Sequence, residues 1–149
     1  MRQFFCPFFA ATLLLSGCSE KSVEDVRDVQ VTLPAVPGNP GVAYFTLHGG
    51  AADNRLMDVS SPQVVKIELH DNIMSNGMMK MTPLDAGVAV SAGGKVVFKS
   101  GGKHAMLFDI NPKTRPGTKM KLVFTYANGR TIEADADVKA AGDTDGHKH

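Results

Sequence analysis

The chain is a succession of short apolar stretches, most of them five to eight residues long, in which apolar and polar positions often alternate. Val, Phe, Tyr, Ile and Thr are frequent in these stretches, and Gly, Pro, Asn or Asp separates them about every 8–12 residues. A period of two with this composition is typical of half-buried strands, and no stretch keeps a helical period for three turns. The pattern therefore predicts an all-β sandwich or barrel.

The predicted strands begin at Val29. In chain order they are VQVTL, VAYFTLH, RLMDVS, VVKIELH, VAVSA, KVVFKS, HAMLFDI, KLVFTYA and RTIEADADV. The first two flank PAVPGNPG (residues 34–41), which is too rich in Pro and Gly to form regular structure. Asn128-Gly129 separates the last two strands, and this dipeptide is a strong signal for a tight β-hairpin.

The first 17 residues have the pattern of a secretion signal. Arg2 precedes the apolar run FFCPFFAATLLL (residues 4–15), which has the length of a signal-peptide core and is too short to span a bilayer. The run ends in Leu15-Ser16-Gly17-Cys18, which resembles the lipobox of bacterial lipoproteins. We therefore expect cleavage before Cys18 and lipidation of that cysteine. The alternative is an ordinary signal peptide with a chance cysteine.

The mature chain is expected to have three parts. Residues 18–28 are polar and charged and predict a lipidated tether, residues 29–140 a single folded domain, and residues 141–149 a flexible tail. The protein is then anchored in the bacterial envelope, facing the periplasm. Ser19 follows the cysteine in place of Asp, and by resemblance to the lipoprotein sorting rule this favours the outer membrane where one exists.

Composition excludes several classes of function. The formal net charge is +1 and falls to about zero when Arg2 is removed, so no electrostatic binding of nucleic acid is expected. Cys6 lies in the signal segment and Cys18 is the lipidation site, which leaves the folded domain without a disulfide. The motifs G-x-S-x-G, P-loop and C-x-x-C do not occur, and we expect no enzymatic activity.

Two segments concentrate imidazole and thioether side chains. HDNIMSNGMMKM spans residues 70–81, and HAM spans residues 104–106. Imidazole and thioether together form a soft ligand set, which favours Cu(I) over hard cations. On a strand, His104 and Met106 leave the same face, as do Met79 and Met81. A loop that brings His70 and Met81 beside the strand of His104 completes a four-ligand site.

These two segments resemble the periplasmic copper chaperone family of the PCu(A)C type. That family has a His, ten residues, a Met and, later, His-any-Met; here the ten residues 71–80 separate His70 from Met81, and His104-Ala105-Met106 follows. YFTLHGGAADNRLMDVSSP and GVAVSAGGKVVFKSGGKH are similar to the flanking features of the family, so the resemblance covers about residues 42–131.

Three positions, Thr82, Ser100 and His48, depart from the residues that are common in the family. None of them is a proposed ligand. The departures therefore concern loop conformation and partner contacts and leave the proposed site intact.

The resemblance implies a cupredoxin-like Greek-key β-sandwich that holds Cu(I) through His70, Met81, His104 and Met106. Met79 is a candidate auxiliary metal ligand. His147 and His149 of the tail are also candidate auxiliary ligands, and the metal expected at these two histidines is Cu(II). Because the domain lacks a cysteine, a blue-copper electron-transfer centre is not expected.

The implied function is a copper(I) metallochaperone that delivers the ion toward the copper centre of a haem–copper respiratory oxidase. The acceptor is then the copper subunit of the oxidase or another assembly factor, and the only membrane contact is the lipid anchor. Two alternatives remain open at this point: a periplasmic copper-buffering or resistance protein, and a metal-free β-sandwich scaffold lipoprotein.

Overall fold

The computed structural model describes residues 23–143. The predicted signal segment, Cys18, His147 and His149 lie outside these residues. The described part contains ten strands and no helix, and so no helix that could cross a membrane. The strands are β1 (Asp25–Thr32), β2 (Gly41–His48), β3 (Asn54–Ser60), β4 (Val64–Ser75), β5 (Met78–Pro83), β6 (Val88–Val90), β7 (Lys95–Phe98), β8 (His104–Ile110), β9 (Lys119–Tyr126) and β10 (Thr131–Lys139). The all-β prediction is confirmed.

The strands form one hydrogen-bonded sheet in the order β5-β4-β8-β2-β1-β10-β9-β3-β6, and β7 pairs with β2 beside β8. All pairs are antiparallel except β1 with β10. The sheet folds over so that its inner surfaces meet: the ring of Phe45 on β2 lies 4.9 Å edge-on from Phe124 on β9 and 4.2 Å stacked on Phe98 of β7.

Alternation along each strand decides which side chains enter the core. On β2, Ala43, Phe45 and Leu47 are fully buried, and on β9 the same is true of Leu122 and Phe124. Burying one such large apolar side chain stabilises the fold by about 1.5–3 kcal/mol. The other face of β2 and β8 points outward, and this outer face carries the candidate ligands.

The first strand begins earlier than the sequence pattern indicated. β1 starts at Asp25, inside the segment assigned to the tether, and its buried valines begin at Val26. Its pairing with β2 shifts register between Arg27 and Gln30, and Asp28 adopts a φ of 54° there. The bulge interrupts the alternation of apolar residues, which explains why this half of the strand looks polar and irregular in sequence.

The segment expected to loop from His70 to Met81 is a regular hairpin. β4 is 12 residues long, and its last six residues pair with β5 in continuous register. Asn76 and Gly77 form the two-residue turn, with φ values of 49° and 77°. Positive φ at both positions is the type I′ geometry that matches strand twist, and Asn-Gly is the dipeptide that adopts it best.

Tyr126 is the largest fully buried side chain, and its hydroxyl has no hydrogen-bond partner among the described residues. Burial raises the pKa of Tyr126 from its ordinary 10.0 to about 12, and the carboxylate of Glu24 acts in the same direction. The folded state therefore holds the phenol protonated at pH values at which the unfolded chain has ionised it.

This difference predicts an alkaline loss of stability. The contribution of the protonated Tyr126 to the free energy of unfolding is fully present below pH 10. It is lost as the pH rises from 10 to about 12, because only the unfolded chain then releases the proton. Tyr126→Phe should remove that loss, and near neutral pH it should change the free energy of unfolding by less than about 1 kcal/mol, since the hydroxyl is unpartnered. Urea denaturation at about pH 8 and about pH 11 measures both effects. An equal alkaline loss in the variant would contradict this account.

Candidate metal centre

Two histidines from distant parts of the chain face each other across β4 and β8. His70 and His104 are direct partners in the antiparallel register, and their ring centroids are 5.8 Å apart in an edge-on arrangement. Both residues are buried, with 8% and 6% of their surface exposed. The fold thus assembles two imidazoles at one point of the sheet from backbone pairing alone.

The ring of His104 is oriented by the backbone. Its Nδ1 lies 2.8 Å from the carbonyl oxygen of Gly102, and it donates its N–H to that oxygen. The neutral imidazole then carries its lone pair on Nε2. A metal-binding histidine characteristically donates its other ring N–H to a carbonyl or a carboxylate, which fixes the tautomer.

The ring of His70 lies beside a carboxylate. Its Nε2 lies 3.4 Å from Oε2 of Glu68, and its Nδ1 is buried without a hydrogen-bond partner in the described part of the chain. The hydrogen bond from Lys66 holds the pKa of Glu68 below its usual value, and the neighbouring His70 contributes in the same direction. Glu68 is therefore ionised at neutral pH and faces the Nε2 of His70, whereas the Nδ1 of His70 has no hydrogen-bond partner among the described residues.

The two candidate thioethers lie on the same outer face as the imidazoles. Register pairs Glu68 with Met106 on β8 and Asn72 with Met81 on β5, and residues that are direct partners or two apart share a face. Met106 is half-buried on the strand that holds His104. Met81 is 49% exposed on the edge strand β5, diagonal to His70. Side chains as long as Met reach across such a diagonal of about 7–8 Å.

An ion pair joins β4 to the start of β8 next to the two histidines. Lys103 Nζ lies 2.6 Å from Oδ2 of Asp71, and these residues are the direct chain neighbours of His104 and His70. The carbonyl of Gly102 also accepts a hydrogen bond from the backbone N–H of Asn72, at 3.4 Å. These contacts hold the imidazole pair in register before any ligand arrives.

Sequence reasoning did not identify Glu68, Gly102 or the Asp71–Lys103 pair. Glu68 was detectable, because it stands two residues before His70 in a predicted strand and so shares its face. The Gly102 carbonyl had no signal in the sequence, since any residue supplies a carbonyl. The ion pair depended on the register of β4 against β8, which local sequence does not encode.

Met79 lies on the same face as Met81 and is the direct partner of Met74, whereas Met78 pairs with Ser75 on the opposite face of the hairpin. Within residues 23–143, no three His, Cys, Asp or Glu side chains are grouped closely enough to hold a metal ion. A metal centre at the two histidines therefore requires thioether sulfur for its remaining ligands. This requirement fits a soft ion.

The candidate site lies apart from the cleft at the far end of the same two strands. A cleft of about 710 Å³ is found at the other end of β4 and β8, where Val64 and Ile110 are partners, and neither histidine lines it. The candidate site is thus a face of the sheet with two buried imidazoles and flanking thioethers.

The fold is that of PCuAC domains. The copper-bound PCuAC domain from PmoF2 superposes with a TM-score of 0.65 over 80% of this chain and 95% of that domain, at 16% identity. The solution structure of Cu(I)-DR1885 from Deinococcus radiodurans gives a TM-score of 0.63 over 86% of this chain and 85% of that protein, at 21% identity. The cupredoxin-like β-sandwich expected from the sequence is confirmed.

The chain belongs to the LpqE-like family, described as "Putative lipoprotein LpqE-like", whose family model matches residues 25–138. The resemblance to PCu(A)C-type proteins noted in the sequence is thereby confirmed.

Relatives of known sequence match over most of the folded domain. The chain is 30% identical over 101 residues to "Uncharacterized protein RP573" of Rickettsia prowazekii (strain Madrid E), which is 67% of this chain and 55% of that protein. It is 23% identical over 90 residues to "Putative lipoprotein Lxx21020" of Leifsonia xyli subsp. xyli (strain CTCB07), of which it covers 54%. The chain thus spans about half the length of the curated relatives it matches.

Proposed function

We propose that the protein is a copper(I) metallochaperone of the bacterial cell envelope and carries the ion as cargo on His70, Met81, His104 and Met106. One observation supports this most directly. The buried imidazoles of His70 and His104 are direct partners across two strands, the Nδ1 of His104 is held by the Gly102 carbonyl, and the Nδ1 of His70 has no hydrogen-bond partner among the described residues. Buried polar atoms are rarely left without a partner, and a metal ion held between the paired imidazoles would supply one for the Nδ1 of His70.

The donor set selects the ion. Thioethers and imidazoles suit Cu(I), and the domain has no thiolate for a blue-copper centre and no carboxylate cluster for a hard cation. Thioether ligands carry no proton and bind reversibly, whereas the two buried imidazoles are ligands held in fixed positions. Exposure of Met81 on an edge strand leaves one ligand free to detach. This combination suits an ion that is held and then passed on.

The resemblance to PCu(A)C-type proteins makes a haem–copper respiratory oxidase the proposed destination, reached directly or through another assembly factor. Copper-loaded protein should therefore transfer Cu(I) to the apo copper-binding domain of an oxidase subunit. Copper buffering would be indicated if the protein keeps its copper in that assay and if its deletion lowers copper tolerance while oxidase activity stays normal. Failure to bind Cu(I) at all would indicate a metal-free scaffold.

His147 and His149 extend the proposal to a second oxidation state. They stand two residues apart on a short polar tail, and short His-bearing tracts bind metal ions. We assign them as auxiliary ligands for Cu(II), separate from the Cu(I) site.

The four ligands are expected to contribute unequally. His104→Ala or Met106→Ala should weaken Cu(I) binding more than Met81→Ala, because β8 fixes both former residues whereas Met79 on the same face can replace part of the lost sulfur of Met81. The expected gap is on the order of 1 kcal/mol, roughly a fivefold difference in dissociation constant. Competition titrations against a Cu(I) chelator measure it.

Met57→Ala is the matched control, because Met57 is similarly exposed but lies on β3. It should bind Cu(I) like the unmodified protein. Loss of binding in Met81→Ala with a mild effect of Met106→Ala would reverse the proposed order, and β5 would then be the anchor.

Lipidation at Cys18 is the proposed means of attachment, supported by Leu15-Ser16-Gly17-Cys18 and by the lipoprotein description of the family. The proposed mature chain starts at Cys18, and Ser19 favours the outer membrane. Cys18→Ser should block processing or release the protein from membranes, since two or more acyl chains are needed for stable anchoring. Cys6→Ser, within the apolar run, is the control and should leave membrane fractionation unchanged. Membrane retention of a processed Cys18→Ser protein would refute the anchor.

A further inference from the structure

The β4–β5 hairpin carries an unusual concentration of exposed large apolar side chains. Ile73, Met74, Met78, Met79 and Met81 are between 43% and 71% exposed. Four of the five are methionine, and the proposed Cu(I) site uses only Met81. Contiguous exposed apolar surface on a soluble domain generally marks a functional site.

Register brings two of these thioethers together. Ser75 and Met78 flank the two-residue turn and form the hydrogen-bonded pair that closes the hairpin, so the next pair, Met74 with Met79, is not hydrogen-bonded. In such pairs the Cα atoms approach to about 4.5 Å and the side chains are closest. Met74 and Met79 are 65% and 55% exposed, so both side chains are accessible to an ion from solvent.

The pair lies in line with the proposed copper site. Three successive pairs on the same face are Met74 with Met79, Asn72 with Met81, and His70 with Pro83. Met81 therefore stands between the Met74–Met79 pair and His70. The outer face of the hairpin is a row of sulfur atoms that ends at the two imidazoles.

We propose that Met74 and Met79 form a second, sulfur-only binding site for Cu(I), through which the ion enters and leaves the His/Met site. A two-coordinate Cu(I) ion needs its two sulfur atoms about 4.6 Å apart, twice a metal–sulfur bond of about 2.3 Å. Directly opposite side chains on a sheet stand about 4.5–5.5 Å apart at Cβ, and the flexible side chains of two methionines can set their sulfur atoms at this separation. The inference rests on the function proposed above.

Movement between the two sites is simple ligand exchange. As the ion moves inward, a Cu–S bond to Met79 or Met74 breaks while a bond to Met81 and then to the imidazoles forms. Copper stays Cu(I) throughout, and no electron or proton is transferred. Because each thioether bond is weak and the next sulfur is adjacent on the same face, no step leaves the ion without ligands.

The alternative role for these methionines is apolar contact with a partner protein, and leucine distinguishes the two. Met→Leu keeps the apolar volume and removes the sulfur. Met74→Leu/Met79→Leu therefore tests the sulfur chemistry. Met78→Leu is the matched control, because Met78 is the most exposed methionine of the hairpin but lies on its opposite face.

The binding experiment uses full-length protein with 13C-labelled methionine methyl groups, titrated with Ag(I), a soft ion that does not change oxidation state. The first equivalent should shift the methyl signals of Met81 and Met106. The second should shift those of Met74 and Met79 together and leave Met78 unmoved. In Met74→Leu/Met79→Leu the second step should vanish, while the first equivalent still binds and shifts the methyl signals of Met81 and Met106.

The kinetic experiment follows transfer of Cu(I) from the loaded protein to an excess of chelator. Met74→Leu/Met79→Leu should slow transfer several-fold, and Met78→Leu should leave the rate unchanged. A second Ag(I) step that leaves the methyl signals of Met74 and Met79 in place, or an unchanged transfer rate in the double variant, would overturn the second site. Absence of the first step would refute the proposed function itself, which keeps the two failures distinct.

Discussion

The register of β4 against β8 is the constraint on which the site depends. It places His70 opposite His104, and the same register buries Leu69, Ala105 and Leu107 on the other face. A slip of one residue would exchange the faces and expose those apolar side chains, at about 1.5–3 kcal/mol for each leucine. The hydrophobic core therefore selects the pairing, and the imidazole pair follows from it without a contribution from metal.

Rigidity decreases from β8 to β5, and the proposed chemistry follows this gradient. His104 and Met106 lie on an interior strand, and the ring of His104 is held by the carbonyl of Gly102. His70 lies on the neighbouring strand β4, which the Asp71–Lys103 ion pair joins to the start of β8. Beyond it, β5 is an edge strand whose methionines are exposed. A carrier of a labile ion needs a fixed half that holds the ion and a mobile half that releases it.

Sequence alternation predicted the all-β fold and the strand that holds His104 and Met106, because apolar and polar residues alternate along a half-buried strand. It missed the β-structure of residues 71–83, since an exposed hairpin with apolar residues on both faces has no such period. It also missed the start of β1 at Asp25, where a bulge breaks the alternation. Which strand faces which depends on the folded core, so the opposition of His70 and His104 and the Asp71–Lys103 pair required the structure.

The central claim is a mixed shell of imidazole nitrogen and thioether sulfur around Cu(I). X-ray absorption at the copper edge of the protein loaded with one equivalent of Cu(I) tests it most directly. The account predicts both nitrogen and sulfur scatterers in the first coordination shell, with loss of sulfur amplitude in Met81→Ala and Met106→Ala. A shell of nitrogen alone in the unmodified protein would contradict it.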